Sequence, residues 1–560
     1  MVTHITSPMT NQKREKLIQF KVFVAGAVVM ALELLGSRLL APSFGNSIFV
    51  WGALIGVIMV ALSMGYWYGG IRADKDPSRD ALSNILTISG ILILLVPLSS
   101  PFILEIVQLS RLGDVYGPLL ASLLLLAAPT FLLGMVSPYS VRLSANEVVK
   151  MGSVSGNLSG INTAGSIFGT FFTVFVLIPV FGTREIITSL GIITLAVSFL
   201  ERNWREFLPV IILVAILMVP EVVIGGKMSI LGGSVLYSTE SPYSSLTVVQ
   251  NNNAGTRTLY LDDMAHSAMY LNGSVNAVFR YTDFFNLAFA YNPNIRKVLF
   301  IGGGGFSGPK QFLTRYPGIV VDVVEIDPDV VQVAYDYFNL PQNETRLKVY
   351  NMDGRTFFDN TDSYDLIVLD AYSHTYVPFH LMTQEFFIKL RNHLNPGGVI
   401  ISNLISSLVG DTSDLLWCEI KTVNSVFPQV YLYPTISGTR SLVQNIILVS
   451  QYSYDIKDKT LLSSNLAERI HNPSRVVSYL DNLYMAEPPE SSFILNDNYA
   501  PVDTLLNPVT KTPFNRSDEL IRVSIINPIV LAAFWVLSLG LVYYISIQKK
   551  WARRRLITEG

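Results

Sequence analysis

Three carboxylates and a glycine-rich turn have the types and the spacing of a nucleoside-binding site. The turn closes an apolar run, Val298-Leu-Phe-Ile-Gly-Gly-Gly-Gly305, and the next apolar run ends in Val323-Val-Glu-Ile-Asp327. Glycines let the backbone turn tightly and approach a ligand closely, and an acid about 20 residues further on can accept both ribose hydroxyls. The pattern predicts a nucleoside site formed by Gly302, Gly303, Gly304 and Glu325. The alternative is an ordinary tight turn between a strand and a helix.

Two further acids follow later apolar runs. Asp353, in Met352-Asp-Gly354, can accept the exocyclic amine of an adenine, although an Asp-Gly pair is nearly as typical of a plain turn. Asp370 ends the run Leu366-Ile-Val-Leu-Asp370, where its carboxylate would emerge beside the nucleoside. There it can orient and deprotonate an attacking amine, which needs a free lone pair to displace a sulfonium. We therefore predict Asp370 as the catalytic base and Asp353 and Gly354 as further binding residues, with helix capping or a solvated loop as the alternative.

A parallel sheet would bring these residues together. The sequence predicts strands at 298–302, 320–326, 346–350, 365–370 and 398–404, and helices near 308–316, 328–338 and 383–393. This alternation indicates a doubly wound α/β sheet, which binds ligands at the carboxyl ends of its strands. Upstream, the segments 245–250 and 256–261 predict a β-hairpin with a polar turn, and a helix is predicted near 278–289.

The composition is that of a membrane protein: half of the 560 residues are hydrophobic, 15% are charged and the mean hydropathy is +0.41. Apolar stretches close to the roughly 20 residues that cross a bilayer lie at about 18–41, 49–70, 83–104, 115–137, 158–181, 185–200, 207–225 and 525–547. The first lacks a small-residue cleavage site, so we interpret it as a retained helix. The predicted organisation is a membrane domain (1–225), a β-hairpin element with a linking helix (226–290), a Rossmann-like domain (291–520), a C-terminal transmembrane helix (525–547) and a basic tail (548–560).

Basic residues cluster at alternate ends of the predicted spans, and such clusters favour the cytoplasmic side. They are Lys13, Arg14, Lys16, Arg72, Lys75, Arg79, Arg142, Lys150, Arg202 and Arg205, with five more between 549 and 555. We therefore expect a multi-pass protein of the cell membrane with the lipid bilayer as a partner, cytoplasmic termini and the large polar region outside. Losing or gaining one span, most easily the short sixth one, would place that region on the other side.

Within the predicted bundle, ionisable and small residues carry separate hypotheses. Glu33 and Arg38 lie within or at the end of the first span, where ionisable side chains are functional candidates. Glycines, including Gly65, Gly70 and Gly165, are expected to let helices approach closely.

The charge and the cysteine content limit the classes of partner. The net charge is −2, and residues 226–546 hold 21 Lys and Arg against 29 Asp and Glu. A mildly acidic domain suits a cationic substrate, although ordinary solubility explains the same balance. The sequence has no basic patch of the kind that would predict binding of nucleic acid. The single cysteine, Cys418, excludes an intramolecular disulfide and is expected to be a buried apolar residue, and no metal site is predicted.

Taken in order along the chain, these motifs resemble spermidine synthase, of the polyamine aminopropyltransferase family. The matching elements are Tyr260-Leu-Asp-Asp263, Ile301-Gly-Gly-Gly304, Val324-Glu-Ile-Asp-Pro328, Met352-Asp-Gly354, Tyr364-Asp-Leu-Ile-Val-Leu-Asp370, Glu385-Phe-Phe387, Leu394-Asn-Pro-Gly-Gly-Val399 and Asn498-Tyr-Ala-Pro-Val502. The first part is similar to that of membrane-fused members in Glu33-Leu-Leu-Gly-Ser-Arg38, Phe44-Gly-Asn46, Trp51-Gly52, Gly65-Tyr-Trp-Tyr-Gly-Gly70 and Asn162-Thr-Ala-Gly-Ser166.

The resemblance implies a Rossmann-like fold of the S-adenosylmethionine-dependent methyltransferase type. It also implies decarboxylated S-adenosylmethionine as co-substrate, no tightly bound cofactor, and a small cationic amine such as putrescine as acceptor. Glu325 would then contact the ribose, Asp353 the adenine, and Asp370 would accept the proton of the amine. The implied substrate-binding residues are Tyr260, Asp262, Tyr372 and Ser373. A homo-oligomer stays open.

Three departures from the family pattern concern the residues that grip cationic amines. Gly305 stands where the family usually has an Asp that would hold the ammonium of the donor. Ser373 replaces a second Asp, and Ser244 replaces the Gln that usually follows the tyrosine at 243. Because an ammonium without an acidic partner is costly to bury, two alternatives remain. One is a methyltransferase that uses intact S-adenosylmethionine, and the other is a non-catalytic transporter or sensor.

Overall fold

The first part of the chain is a bundle of long apolar helices. The structure, a computed structural model, describes residues 11–506 apart from 46, 111, 145–150, 201–228, 231–232, 263, 361–362, 372–377, 411, 456 and 471–472. The bundle consists of α1 (Asn11–Phe44), α2 (Ile48–Lys75), α3 (Arg79–Leu109), α4 (Gly113–Ser144), α5 (Met151–Phe172, with a π-helical turn Thr173–Leu177) and α6 (Thr183–Ser198). Five of these helices, α1 to α5, are long and apolar enough to cross a membrane.

The first five predicted spans are confirmed as helices. The first four helices extend beyond both ends of their apolar stretches, whereas the fifth starts earlier than predicted and ends at Leu177. The sixth is the 16-residue helix α6, shorter than the other five. The predicted spans 207–225 and 525–547 and the basic tail 548–560 lie outside the described residues.

Glycines set the spacing between two pairs of these helices. A Cβ atom on Gly65 of α2 would lie 2.2 Å from the carbonyl oxygen of Phe131 in α4, and one on Gly165 of α5 would lie 2.0 Å from that of Phe23 in α1. No other residue allows backbones this close, so the predicted packing role is confirmed at both positions. Among the described residues no atom would lie within 4 Å of a Cβ on Gly70, so a packing role there stays a prediction.

A five-stranded antiparallel sheet follows the bundle. Its strands, in spatial order, are β1 (Ser229–Ile230), β2 (Gly233–Glu240), β3 (Ser245–Asn251), β4 (Thr256–Leu261) and β5 (Met264–Tyr270). Strands β3 and β4 confirm the predicted hairpin, which is the centre of a larger sheet.

The segment after this sheet is not the single helix predicted near 278–289. It consists of α7 (Tyr281–Phe284), a 3₁₀ turn (Phe285–Leu287) and α8 (Ala288–Tyr291). Every residue from 282 to 291 is buried. The surrounding core therefore determines the local conformation, because no amphipathic face has to be kept toward solvent.

The second sheet has seven strands in the order β11-β12-β10-β9-β6-β7-β8. They are β6 (Lys297–Ile301), β7 (Val320–Glu325), β8 (Leu347–Asn351), β9 (Tyr364–Leu369), β10 (Leu394–Ser406), β11 (Gln429–Pro434) and β12 (Gln444–Gln451). The five strands β6 to β10 are parallel and confirm the doubly wound prediction, whereas β11 and β12 pair antiparallel and were not predicted. Burial on both faces explains the apolar sequences of β6, β7 and β9, whereas the edge strand β8 is more polar and only partly buried.

Helices flank this sheet on both faces. The three predicted helices are confirmed as α9 (Ser307–Arg315), α10 (Pro328–Tyr337) and α11 (Gln384–Asn392). Four more were not predicted: α12 (Asp414–Asn424), α13 (Lys459–Arg469), α14 (Ser474–Tyr479) and α15 (Val502–Leu506). Cys418 lies buried in α12, as expected for an apolar core residue.

Hydrogen bonds join the bundle to the rest of the chain at the end of α1 and at the starts of α2 and α6. They are donated by the Arg38 guanidinium to the Ser241 carbonyl, by the Thr183 N–H to Glu240 (2.7 Å) and by the Ile48 N–H to Asp503 (3.0 Å). All three helix ends lie on the same side of the bundle, because α1 and α2 are consecutive and α6 starts where α5 returns. The two sheets are thus attached to one end of the helices.

Candidate active site

The glycine turn and Asp370 meet where the strand order reverses, between β6 and β9. Gly302 has a φ of +96°, and a Cβ on it would lie 2.2 Å from the carbonyl oxygen of Asp370. The Asp370 N–H donates to the carbonyl of Ile301 at 2.9 Å. Only glycine satisfies both the backbone angle and the close approach. This reversal is where doubly wound sheets open a crevice for ligands.

Glu325 ends β7, and its carboxylate lies against the glycine turn. One oxygen accepts the N–H groups of Gly303 (2.8 Å) and Gly304 (3.3 Å), and the other accepts that of Asp327 (3.0 Å). Burial raises the pKa of Glu325, while these three N–H groups lower it. The acid is therefore held at the turn as a hydrogen-bond acceptor, which is the position from which it was predicted to contact a ribose.

Asp353 follows β8 and has two sets of partners. Its Oδ1 accepts the N–H groups of Arg355 (2.9 Å) and Thr356 (3.2 Å), which is the turn-capping interpretation of this residue. Its Oδ2 lies 3.0 Å from Nε2 of His380. Gly354 lies against β6, because a Cβ there would be 2.5 Å from a methyl of Ile301. The adenine-binding role of Asp353 and Gly354 stays a prediction.

Asp370 is held by two neutral donors. Asn403 donates to Oδ1 at 2.8 Å and the Tyr281 hydroxyl donates to Oδ2 at 3.3 Å. Burial raises the pKa of Asp370 to about 6, against the lowering effect of the two hydrogen bonds. The carboxylate is thus ionised at neutral pH and can accept a proton, which is the property a general base needs.

The residues that orient Asp370 were not among the predicted site residues. Tyr281 lies in the broken helical segment, and the pKa of its own hydroxyl is raised by burial and by Asp370. Asn403 is in turn fixed by Asn445, whose amide donates to Asn403 Oδ1 at 3.1 Å. This bond turns the Asn403 NH₂ toward Asp370. A polar residue near the end of an apolar strand is the one sequence signal that could have identified Asn403.

Neighbouring side chains leave little space for a side chain at position 305, where the family usually has an acid. A Cβ on Gly305 would lie 2.7 Å from Oγ and 3.0 Å from Cβ of Ser267 in β5, and 3.1 Å from the ring of Phe338. The Ser267 hydroxyl is 2.9 Å from that of Ser307. The Ser267 side chain therefore occupies the space beside the fourth glycine, and an aspartate there would displace it from its contact with Ser307.

The predicted substrate-binding residues are placed differently from the acids. Tyr260 pairs with Thr247 across the β3–β4 hairpin. Asp262 has a φ of +49° just after β4, and its Oδ1 accepts the Ser245 N–H at 2.9 Å. This contact joins β3 and β4 at the end of the hairpin opposite the turn. Their predicted contact with substrate is not tested by this arrangement, and Tyr372 and Ser373 lie outside the described residues.

Known proteins similar to this chain share the region that holds these residues. The sequence matches the spermine/spermidine synthase domain family over residues 279–457, a range that contains the glycine turn and the three acids. The polyamine aminopropyltransferase of Vibrio vulnificus is 32% identical over 225 residues, which cover 38% of this chain and 71% of that protein.

Two other comparisons extend over more of the chain. A probable polyamine aminopropyl transferase of Bifidobacterium longum is 27% identical over 296 residues, which cover 49% of this chain and 62% of that protein. The crystal structure of a probable spermidine synthase from Corynebacterium glutamicum aligns at 19% identity with a TM-score of 0.36, covering 46% of this chain and 98% of that one.

Proposed function

The chain belongs to the polyamine aminopropyltransferase family, and on that premise we propose that it transfers an aminopropyl group from decarboxylated S-adenosylmethionine to a small amine such as putrescine. One observation carries the proposal most strongly. Asp370, a partly buried carboxylate with a pKa of about 6, lies directly beside the glycine turn at the point where the sheet opens. A base is thus adjacent to the place where a nucleoside would bind.

In this reaction the lone pair of the amine attacks the propyl carbon bonded to the donor's sulfonium. A C–N bond forms, the C–S bond breaks with its electron pair passing to sulfur, and 5′-methylthioadenosine leaves. The proton of the amine passes to Asp370, whose oxygens are oriented by Asn403 and Tyr281. Because a protonated amine has no lone pair, accepting this proton is the main chemical task of the protein.

Binding of the donor would be the task of the neighbouring acids. Glu325 would accept the ribose hydroxyls, and Asp353 and Gly354 would contact the adenine. Tyr260, Asp262, Tyr372 and Ser373 are proposed to contact the substrates, as the family resemblance implies.

We further propose that the enzyme works at the surface of the cell membrane. Five apolar helices support insertion into a bilayer, and three hydrogen bonds join the rest of the described chain to one end of the bundle. Within the described helices the basic clusters lie at the opposite ends, so the positive-inside rule supports an external catalytic domain. Single cysteines introduced at Asn272 or Asn343 would report the side by labelling in intact cells, because Cys418 is buried.

A methyltransferase that uses intact S-adenosylmethionine is the second candidate. The observation in its favour is the glycine at 305, where Ser267 and Ser307 replace an acid for the donor's ammonium. Such a donor still carries its carboxylate, so it requires no acidic partner at the same place.

One assay separates the candidates. The purified full chain is incubated with putrescine and with either the decarboxylated donor or S-adenosylmethionine, each labelled in the transferable group. Aminopropylated product from the decarboxylated donor alone supports the proposal, and methylated product supports the second candidate. Binding of either donor with no product would contradict both enzymatic functions and favour a sensor or transporter.

A further inference from the structure

The nucleoside site is connected to the membrane bundle through the loop between β2 and β3. This loop begins at Glu240, where β2 ends, and β3 begins at Ser245. The Ser241 carbonyl in this loop accepts a hydrogen bond from the guanidinium of Arg38. Arg38 lies in the last two turns of α1, which ends at Phe44. The carboxylates of Glu240 and Asp262 also attract the Arg38 cation. The helix α1 thus contacts the loop directly.

A second membrane helix holds the same loop. The N–H of Thr183, in the first turn of α6, donates to Glu240 Oε2 at 2.7 Å. A carboxylate at a helix N-terminus is favourable, because the N–H groups there have no partner within the helix. The loop is therefore fixed at two points by two helices of the bundle.

From this loop a chain of hydrogen bonds leads to Glu325. The Ser241 hydroxyl donates to Asp327 Oδ2 at 2.5 Å, and Asp327 is buried. The Asp327 N–H donates to Glu325 Oε1 at 3.0 Å. The other Glu325 oxygen accepts the N–H groups of the glycine turn. These bonds favour one orientation of the side chains of Ser241, Asp327 and Glu325.

We propose that Arg38 is a positioning residue for the adenosyl donor: through Ser241 and Asp327, the membrane bundle sets the orientation of Glu325. This inference rests on the proposed role of Glu325 at the ribose. Arg38 touches neither substrate, and the bundle becomes part of the donor site as well as an anchor. The acceptor amine, which Asp370 serves, does not depend on this chain of hydrogen bonds.

The test measures binding of 5′-methylthioadenosine by calorimetry to the full chain in lipid nanodiscs. For Arg38→Gln we expect the Kd to rise about tenfold, as for loss of a hydrogen bond to a charged group. Arg38→Lys keeps the charge beside Glu240 and Asp262 and should recover part of this loss. In turnover assays, KM for the donor should rise while kcat at saturating donor and KM for the amine stay within about threefold.

Two matched variants show whether the effect passes through the loop. Arg142→Gln breaks an ion pair with Asp74 in the same bundle (3.2 Å) and should leave the Kd unchanged. Ser241→Ala removes the hydrogen bond from the Ser241 hydroxyl to Asp327. The Kd of the double variant Arg38→Gln/Ser241→Ala should therefore be no higher than the higher of the two single-variant Kd values. Independent, multiplying effects would overturn the proposal, as would an unchanged Kd for Arg38→Gln or an equal loss for Arg142→Gln. No binding to the unaltered protein would instead contradict the proposed donor site itself.

Discussion

Glu325 and Asp370 end strands on either side of β6, yet their surroundings differ in the kind of donor that each carboxylate meets. Three backbone N–H groups surround Glu325, two of them from the glycine turn itself. Within the described part of the chain, Asp370 meets two side-chain donors, Asn403 and Tyr281, and its pKa rises to about 6. Burial raises the pKa of both carboxylates, but three backbone N–H groups occupy Glu325 as an acceptor, whereas Asp370 is held by two neutral side chains and can take up a proton. The difference supports the proposed division between a donor-binding acid, Glu325, and a reactive acid, Asp370.

The largest expected effect follows from removing the reactive acid. Asp370→Asn keeps the size of the side chain and can still accept from Asn403, but it cannot take a proton at neutral pH. We expect kcat to fall by about 10²–10⁴-fold, the usual contribution of a general base. Steady-state rates with saturating donor and amine check this. Asp336→Asn, an exposed acid paired with Gln332 on α10, should keep full activity. An active Asp370→Asn enzyme would show that another group accepts the proton.

The binding acid should give the opposite kinetic pattern. Glu325→Gln replaces an oxygen by an NH₂ group, which would face N–H donors of the glycine turn or of Asp327. Losing hydrogen bonds to a charge costs about 1.5–3 kcal/mol. We therefore expect KM for the donor to rise by about 10- to 100-fold, with a smaller change in kcat. Equal KM values for the variant and the unaltered protein would exclude Glu325 from the donor site.

Restoring the acid that the family usually has beside the glycine turn sharpens the comparison from the other side. Gly305→Asp alone should lower the free energy of unfolding by about 1–3 kcal/mol, because its Cβ would overlap Ser267. In Gly305→Asp/Ser267→Gly that overlap is removed, and KM for the decarboxylated donor should fall below that of the single variant. If KM for the decarboxylated donor is the same in the double and single variants, the acid does not bind the donor's ammonium.

The smallest expected effect is a shift in pH dependence. Activity requires ionised Asp370, so kcat/KM should fall as the pH drops through about 6. The hydrogen bond from Asn403 lowers the pKa of Asp370. Asn403→Leu removes it, so the midpoint should move to higher pH, and pH–rate profiles measure this. A midpoint that moves to lower pH, or stays in place, would assign the acidic limb to another group.

The sequence located the parallel strands and their terminal acids because both signals are local. Buried parallel strands are continuous apolar runs, and Glu325 and Asp370 follow such runs directly. The partners of Asp370 have no such signal. Tyr281 reaches it from a segment 89 residues earlier, and Asn445 acts from an antiparallel strand that was not predicted. Their contribution arises only when the sheet is assembled.

The connection between the bundle and the site likewise has no complete local signal in the sequence. Arg38 was recognised as an ionisable residue at the end of a span, but its partner Ser241 lies 203 residues later in the chain. Charge and hydropathy could identify the candidate. They could not identify the loop that it holds, because the pairing depends on how the two parts of the chain pack.

The most direct test of the division between the two acids is one titration of 5′-methylthioadenosine on two variants of the full chain. Asp370→Asn should bind with the Kd of the unaltered protein while forming aminopropylated product about 10²–10⁴-fold more slowly. Glu325→Gln should bind at least tenfold more weakly while still forming product at high donor concentration. Equal weakening of binding in both variants would contradict the account, since the two carboxylates would then share a single role.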